Sequence, residues 1–323
     1  MGQFLFEYGM FVAKAITVTI AIVATFGTIL ALLSKGKLKS NSDIEISKLN
    51  EKYAQIKQLM QRKLLTKQQY KNLTKATKKA RQELTGNIFV VNFQGDLKAT
   101  AAVQRLRDVV TAILCVATSK DAVLVTIESQ GGLVHSYGLA AAQLARIRSQ
   151  NIHLTVAIDL VAASGGYLMA AVANKIIAAP FAIVGSIGVV AQLPNFHKLL
   201  HKHNIEIEQH TAGKYKRTLT MLGKNTDTQR DKFKEDLEAT HVLFKQFVST
   251  YRSQVNIETV ATGEHWFASQ AIDLQLIDKI MTSDDYLLDK SKNTNIFLVK
   301  SKTKEKLTDK ISAALFKLRA AIC

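Results

Sequence analysis

The chain has 323 residues, 47% of them hydrophobic, two cysteines and a formal net charge of +17. That length supports one large domain plus flanking segments, and Cys115 and Cys323 are too few and too far apart for a disulfide framework or a paired-cysteine metal site. The charge suggests nucleic acid at first, but its placement argues against it: residues 34–85 hold 14 basic and 4 acidic side chains, residues 286–323 hold 9 and 3, and the stretch between is nearly neutral.

Residues 15–33 form an uncharged run of 19 residues. As a helix at about 1.5 Å per residue this run spans about 28 Å, close to the hydrocarbon thickness of a bilayer. It is longer than a signal-peptide core and ends without a small-residue cleavage pattern, so a retained single-pass anchor over 1–34 is expected. Lys35, Lys37 and Lys39 follow it, which by the positive-inside rule places the rest of the chain in the cytoplasm. In residues 35–85, Ile44, Ile46, Leu49, Tyr53, Ile56, Leu59, Met60 and Leu64 recur at mostly three- and four-residue steps. This predicts a basic helical juxtamembrane segment, either a spacer or a stripe drawn to anionic lipid.

From Asn87 the pattern changes. Residues 88–93, 122–127 and 153–160 read as strands, and 101–117, 133–148 and 168–173 as helices. Such alternation predicts an α/β fold of βαβ units around a mostly parallel sheet. The apolar run 178–193 contains Pro180, Gly185, Ser186 and Gly188 and is too short and broken for a second span, so a buried, turn-containing core segment is expected. A short strand is expected at 205–210, a long helix at 227–255 and a short helix at 268–274. The C-terminal tail places Leu307, Ile311, Leu315, Leu318 and Ile322 on one helical face, compatible with a membrane surface or a subunit contact.

Two glycine turns carry the chemistry. Ala162-Ala163-Ser164-Gly165-Gly166-Tyr167 sets a serine between a strand and a helix, where a tight turn exposes the hydroxyl and the helix start supplies free N–H groups. Glu128-Ser129-Gln130-Gly131-Gly132 also follows a strand and precedes a helix. Ligands bind at the carboxyl ends of parallel strands, so both turns are expected to open on one crevice, with Gly131, Gly132 and Gly165 as oxyanion donors. Gly213-Lys214-Tyr215-Lys216-Arg217 offers a lysine base, whose amine must be neutral to accept a proton. Histidine is the rival: His135 follows the first glycine turn, which leaves a Ser-His arrangement open, and His197, His201 and His203 cluster without the glutamate of a zinc motif.

These pieces resemble the SohB branch of the signal peptide peptidase A family, serine peptidases with a ClpP/crotonase-like spiral of βαβ units. The matching stretches are 128–132, 162–167, Gly185-Ser186-Ile187-Gly188-Val189-Val190, 213–219, Thr262-Gly263-Glu264-His265-Trp266-Phe267 and 271–278, in order across residues 86–285. The resemblance implies a serine endopeptidase with Ser164 as nucleophile, Lys216 as general base and Ser186 orienting the lysine amine. It implies no metal or cofactor, and apolar peptides such as signal-peptide remnants as substrates. It also implies a homo-oligomeric ring whose serine and lysine come from neighbouring subunits, and an extracytoplasmic peptidase domain on a bacterial inner membrane, opposite to the side the lysines favour. Gln130 stands where the family usually has proline, and Gln275 where it often has glycine. A non-catalytic membrane scaffold with the same fold is the alternative reading; binding of nucleic acid by the basic flanks is not expected.

Overall fold

The computed structural model describes residues 2–35, 44–79 and 84–302. The chain divides into two units, Met1–Asp43 and Ile44–Cys323. The first holds one helix, α1 (Gly2–Lys35), which contains the uncharged run. Among the described residues no helix is long and apolar enough to cross a membrane. The side chains of 26–35, the second half of the expected span, lie outside that set.

The second unit opens with β1 (Ile44–Lys48), α2 (Leu49–Leu64) and α3 (Lys67–Lys79). It then alternates through β2 (Asn87–Gly95), α4 (Thr100–Leu114), β3 (Ala122–Ser129), α5 (Val134–Ser149) and β4 (His153–Ile158). The pieces shorten afterwards: β5 (Val161–Ala163), α6 (Gly165–Ala171), β6 (Lys175–Ala178) and β7 (Ile183–Gly185). After α7 (His197–Lys202) come α8 (Asp227–Tyr251), α9 (Ile257–Val260), β8 (His265–Phe267) and α10 (Ala268–Ala271). Last are β9 (Lys279–Ile280), α11 (Ser283–Lys290) and β10 (Asn295–Ser301).

The result is a mixed α/β fold around one large sheet in the order β1-β10-β2-β3-β4-β6-β9. All pairs in that path are parallel except β1 with β10. Both faces are covered, as a parallel sheet requires. Phe89, Val91 and Phe93 of β2 turn to the larger core shared with α4, α5 and α6, while Ile88 and Val90 turn to a smaller one with Leu49, Tyr53 and Leu287. The alternation follows from the period of two along a strand.

The sheet forks at β3. Residues 122–126 of β3 pair with β4, but its last residue, Ser129, pairs with Ala162 of β5. From there β5 pairs in parallel with β7, and β7 antiparallel with β8. This three-stranded wing gives the turn after β5 a separate ledge above the main sheet. The far edge of the main sheet is braced by a buried ion pair: Arg252, 2% exposed, donates to both carboxylate oxygens of Asp278 at 2.9 Å and to the Gln275 carbonyl at 2.8 Å. Asp278 also accepts the Ile176 N–H at 2.6 Å, so it ties Arg252, which follows α8, to β6. Pairs this buried are held by such added hydrogen bonds, and losing one partner leaves the other charge exposed to a low dielectric.

Several expectations are corrected. The boundary at 85/86 does not hold, because Ile44–Lys48 forms a strand paired with Phe297–Ser301. Ile44 and Ile46 are spaced for a strand, and only from Leu49 does the helical step begin. The boundary at 285/286 fails for the matching reason: α11 and β10 belong to the sheet and its cover, and β10 lies between β1 and β2. The rest of the predicted tail, 303–323, lies outside the described residues, as do Lys37 and Lys39. Residues 205–210 form no strand and are exposed. The run 178–193 is only partly a buried, turn-containing segment: Ala178, Ala182, Val184 and Ile187 are buried, but Phe181 is 82% and Val190 91% exposed.

Candidate functional site

The parallel register of the wing sets two serines side by side. Ala163 is the partner of Gly185, so Ser164 and Ser186 are the next residues out of adjacent strand ends. The Ser164 N–H donates to the Gly185 carbonyl at 2.8 Å, and the Ser186 N–H to the Glu264 carbonyl. Both serines then turn sharply, with φ of 51° and 53°, in the left-handed region that non-glycine residues seldom occupy. Backbone strain of this kind gathers at functional turns. At Ser164 it lifts the side chain off the strand just before α6 begins, and its hydroxyl makes no hydrogen bond among the described residues.

The other glycine turn folds against this one. A Cβ placed on Gly131 would lie 2.8 Å from the Gly165 nitrogen and the Ser164 Cβ, and 2.9 Å from the Ala163 oxygen. Gly131 also has φ +92°, so only glycine fits both the contact and the conformation. A Cβ on Gly165 would enter the Tyr137 ring. The two turns therefore meet at a single point, as their placement after neighbouring strands predicts.

A small polar network braces that point. The Tyr137 hydroxyl donates to the Asp96 carbonyl at 2.8 Å and lies 2.5 Å from the Ser129 Oγ. Burial pushes the Tyr137 phenol up from its ordinary value, so it stays a donor across the physiological range. Ser129 Oγ in turn accepts the Gly131 N–H at 3.1 Å. This corrects the expectation for Gly131: its N–H is engaged within the turn. Gly132 and Gly165 make no backbone N–H hydrogen bond among the described residues. Gly165 is the first residue of α6, where helical N–H groups have no internal partner.

Around this point lies a cleft of about 1140 Å³, lined by Ser164, Ser186, Gly131, Gly132 and Gly165 together. One wall is α8, which presents Thr240, Leu243, Phe244 and Phe247 at helical spacing. The helix is set by a capping box in which the Thr226 Oγ accepts the Gln229 N–H and the Gln229 side chain accepts the Thr226 N–H. Lys216 is not among the residues lining the cleft. It is exposed, at the end of a turn closed by its N–H to the Gly213 carbonyl at 3.1 Å. Ser164, Gly132, Gly165 and Ser186 thus line one cleft, Gly131 packs between the two turns with its N–H engaged, and the expected base stands apart within one chain.

Two cleft residues have no counterpart in the sequence reading. Tyr137 sits five residues past Gly132, and only the close approach of α5 and α6 reveals it as the brace. His241 lines the cleft from α8. Its signal was weak: a lone histidine in a charged amphipathic helix whose docking face the sequence does not specify.

We expect Gly131→Ala to fold with reduced stability, by about 1–3 kcal/mol from overpacking. It should lose at least about a hundredfold in peptide hydrolysis, because the displaced turn moves an oxyanion donor. Thermal melting and kcat measured on the same preparation check both parts.

A family model described as peptidase family S49 matches residues 146–296, and one described as peptidase family S49 N-terminal matches residues 3–144. The chain is 44% identical over 328 residues to the Probable protease SohB of Haemophilus influenzae, covering 96% of this chain and 92% of that protein. It is also 44% identical over 304 residues to the Probable protease SohB of Buchnera aphidicola subsp. Schlechtendalia chinensis, covering 88% and 99%. Among solved structures, a mutant of the 1510-N membrane-bound stomatin-specific protease aligns with a TM-score of 0.43 and 13% identity, over 64% of this chain and 86% of that one.

Proposed function

Because the chain belongs to peptidase family S49, we propose that it is a serine endopeptidase using Ser164 and Lys216, anchored in a bacterial inner membrane. Its substrates are apolar peptides, signal-peptide remnants among them, and its fold is of the ClpP/crotonase-like kind. The observation that carries this reading is the meeting of the two glycine turns. Gly131 packs on Ser164 and Gly165 so closely that a methyl group is excluded, which supports a reading in which the serine and the N–H groups of Gly132 and Gly165 serve one position.

The chemistry follows from that position. The Ser164 Oγ attacks the substrate carbonyl carbon while a neutral lysine amine takes its proton. The carbonyl oxygen becomes an oxyanion held by the Gly132 and Gly165 N–H groups. Collapse breaks the C–N bond, and the lysine ammonium returns its proton to the leaving amine. Water, deprotonated by the same amine, then hydrolyses the acyl ester and frees Ser164. The apolar α8 wall accommodates side chains of the class expected from membrane-derived peptides.

Lys216 stands outside the cleft of its own chain. This supports a homo-oligomer in which a neighbouring copy supplies the base, with Ser186 beside Ser164 to orient the incoming amine. The uncharged run within α1 supports the membrane anchor, with the peptidase unit on the periplasmic side, as the family resemblance implies.

A fluorophosphonate probe tests the nucleophile directly. We expect it to label the full-length protein at Ser164, located by peptide mass mapping. A protein that hydrolyses no peptide and takes no label would instead be a scaffold that has kept the fold and lost the chemistry.

A further inference from the structure

His241 is in an unusual position for a polar side chain. It lines the cleft on the same helix as Leu243, Phe244 and Phe247. Its side chain is 21% exposed, and its Nδ1 lies 4.0 Å from the Glu238 carboxylate. Its Nε2 is closed off from water and has no hydrogen-bond partner among the described residues. Buried polar groups are nearly always paired, and an exception calls for a missing partner.

Resting on the serine-peptidase reading, we propose that His241 is a positioning residue that accepts a hydrogen bond from a backbone N–H of the bound peptide. The neighbouring Glu238 carboxylate favours the tautomer with its proton on Nδ1, which leaves Nε2 as an acceptor. The torsion that turns the ring is soft and broad, so a small rotation brings Nε2 to the cleft face. The complement is a peptide main chain. Leu243, Phe244 and Phe247 take up apolar side chains, but the peptide's own N–H groups still need acceptors once water leaves. In that wall two side chains carry acceptors: the Thr240 hydroxyl is turned back along the helix to the Asp236 carbonyl at 2.8 Å, while the His241 Nε2 has no partner among the described residues. Specificity for apolar sequence and insensitivity to its details are then compatible: side chains meet a greasy surface, while the backbone is held in register by one polar point.

The test uses the full-length protein, a good peptide substrate and a set of its analogues, each N-methylated at one amide. For His241→Leu we expect kcat/KM to fall about tenfold, and His241→Gln, which keeps an acceptor near the Nε2 position, to recover to within about threefold of the parent. One N-methylated analogue should be cut about tenfold more slowly by the parent yet no more slowly than the unmethylated peptide by His241→Leu, because the bond it removes is already gone. The rate of Ser164 labelling by a small fluorophosphonate, which has no peptide backbone, should be the same in all three proteins. Equal losses from N-methylation in the parent and His241→Leu at every position would overturn the proposal, as would unchanged kcat/KM in His241→Leu. Should His241→Leu fail to fold, His241→Gln and the N-methyl series on the parent still decide: no amide position that matters to the parent sinks the idea. Failure of the parent to label at Ser164 would overturn the serine reading itself, a result separate from these.

Discussion

Ser164→Ala is expected to lower kcat/KM for peptide hydrolysis by about ten-thousandfold or more, with little change in thermal stability. The two halves of this expectation have separate causes. The Ser164 hydroxyl makes no hydrogen bond among the described residues, so its removal breaks no link in the fold. What holds the turn is backbone: the Ser164 N–H to the Gly185 carbonyl, and the Leu168 N–H to the Ser164 carbonyl at 2.9 Å. Alanine keeps both, and at φ 51° it bears much the same strain as serine. The proposed chemistry, by contrast, loses its nucleophile. Residual turnover from oxyanion stabilisation alone sets the floor. Circular dichroism melts beside steady-state kinetics give both halves, and a variant that retains turnover within tenfold of the parent would remove Ser164 from the mechanism.

The second large effect concerns where the base comes from. Lys216→Ala should be as inactive as Ser164→Ala. Mixing the two inactive proteins, dissociated and reassembled together, should restore about a quarter of the parent activity, because half the subunits carry the serine and half of their neighbours carry the lysine. No recovery on mixing, with size-exclusion confirming mixed assemblies, would mean that serine and lysine act within one chain. An active Lys216→Ala would mean that another group is the base. The prediction rests on placement: Lys216 is exposed and lies outside the lining of the cleft that holds Ser164, Ser186 and both glycine turns.

Much of the site is legible in the sequence because it is local. A serine followed by two glycines between apolar runs specifies its turn in six residues, and the second glycine turn does so in five. The core strands β2, β3 and β4 are legible for the same reason, being continuous apolar runs that only a doubly covered sheet explains. What escapes is what depends on distant partners. β1 has five residues, and its pairing with β10 spans some 250 positions of sequence; nothing within Ile44–Lys48 announces it. The left-handed Gln275, φ 59°, shows the opposite case. A glycine would be expected there on conformational grounds, and the chain tolerates glutamine because its carbonyl is held by the buried Arg252 guanidinium. His241 was hidden because its meaning comes from the face of α8 that docks, which periodicity alone leaves open.

The edge strand β1 has a mechanical consequence. Ile44 and Ser301 are partners at one end of an antiparallel ladder, so the first residue of β1 and the last of β10 lie at the same corner of the sheet. A pull on Ile44 from the N-terminal side, against a body held elsewhere, therefore loads the rungs one after another, like opening a zip. The strand beyond it, β10, is gripped on its other side by four parallel register pairs to β2. Tension entering the sheet at Ile44 would be spent in peeling β1 before it disturbed the ledge on which Ser164 turns.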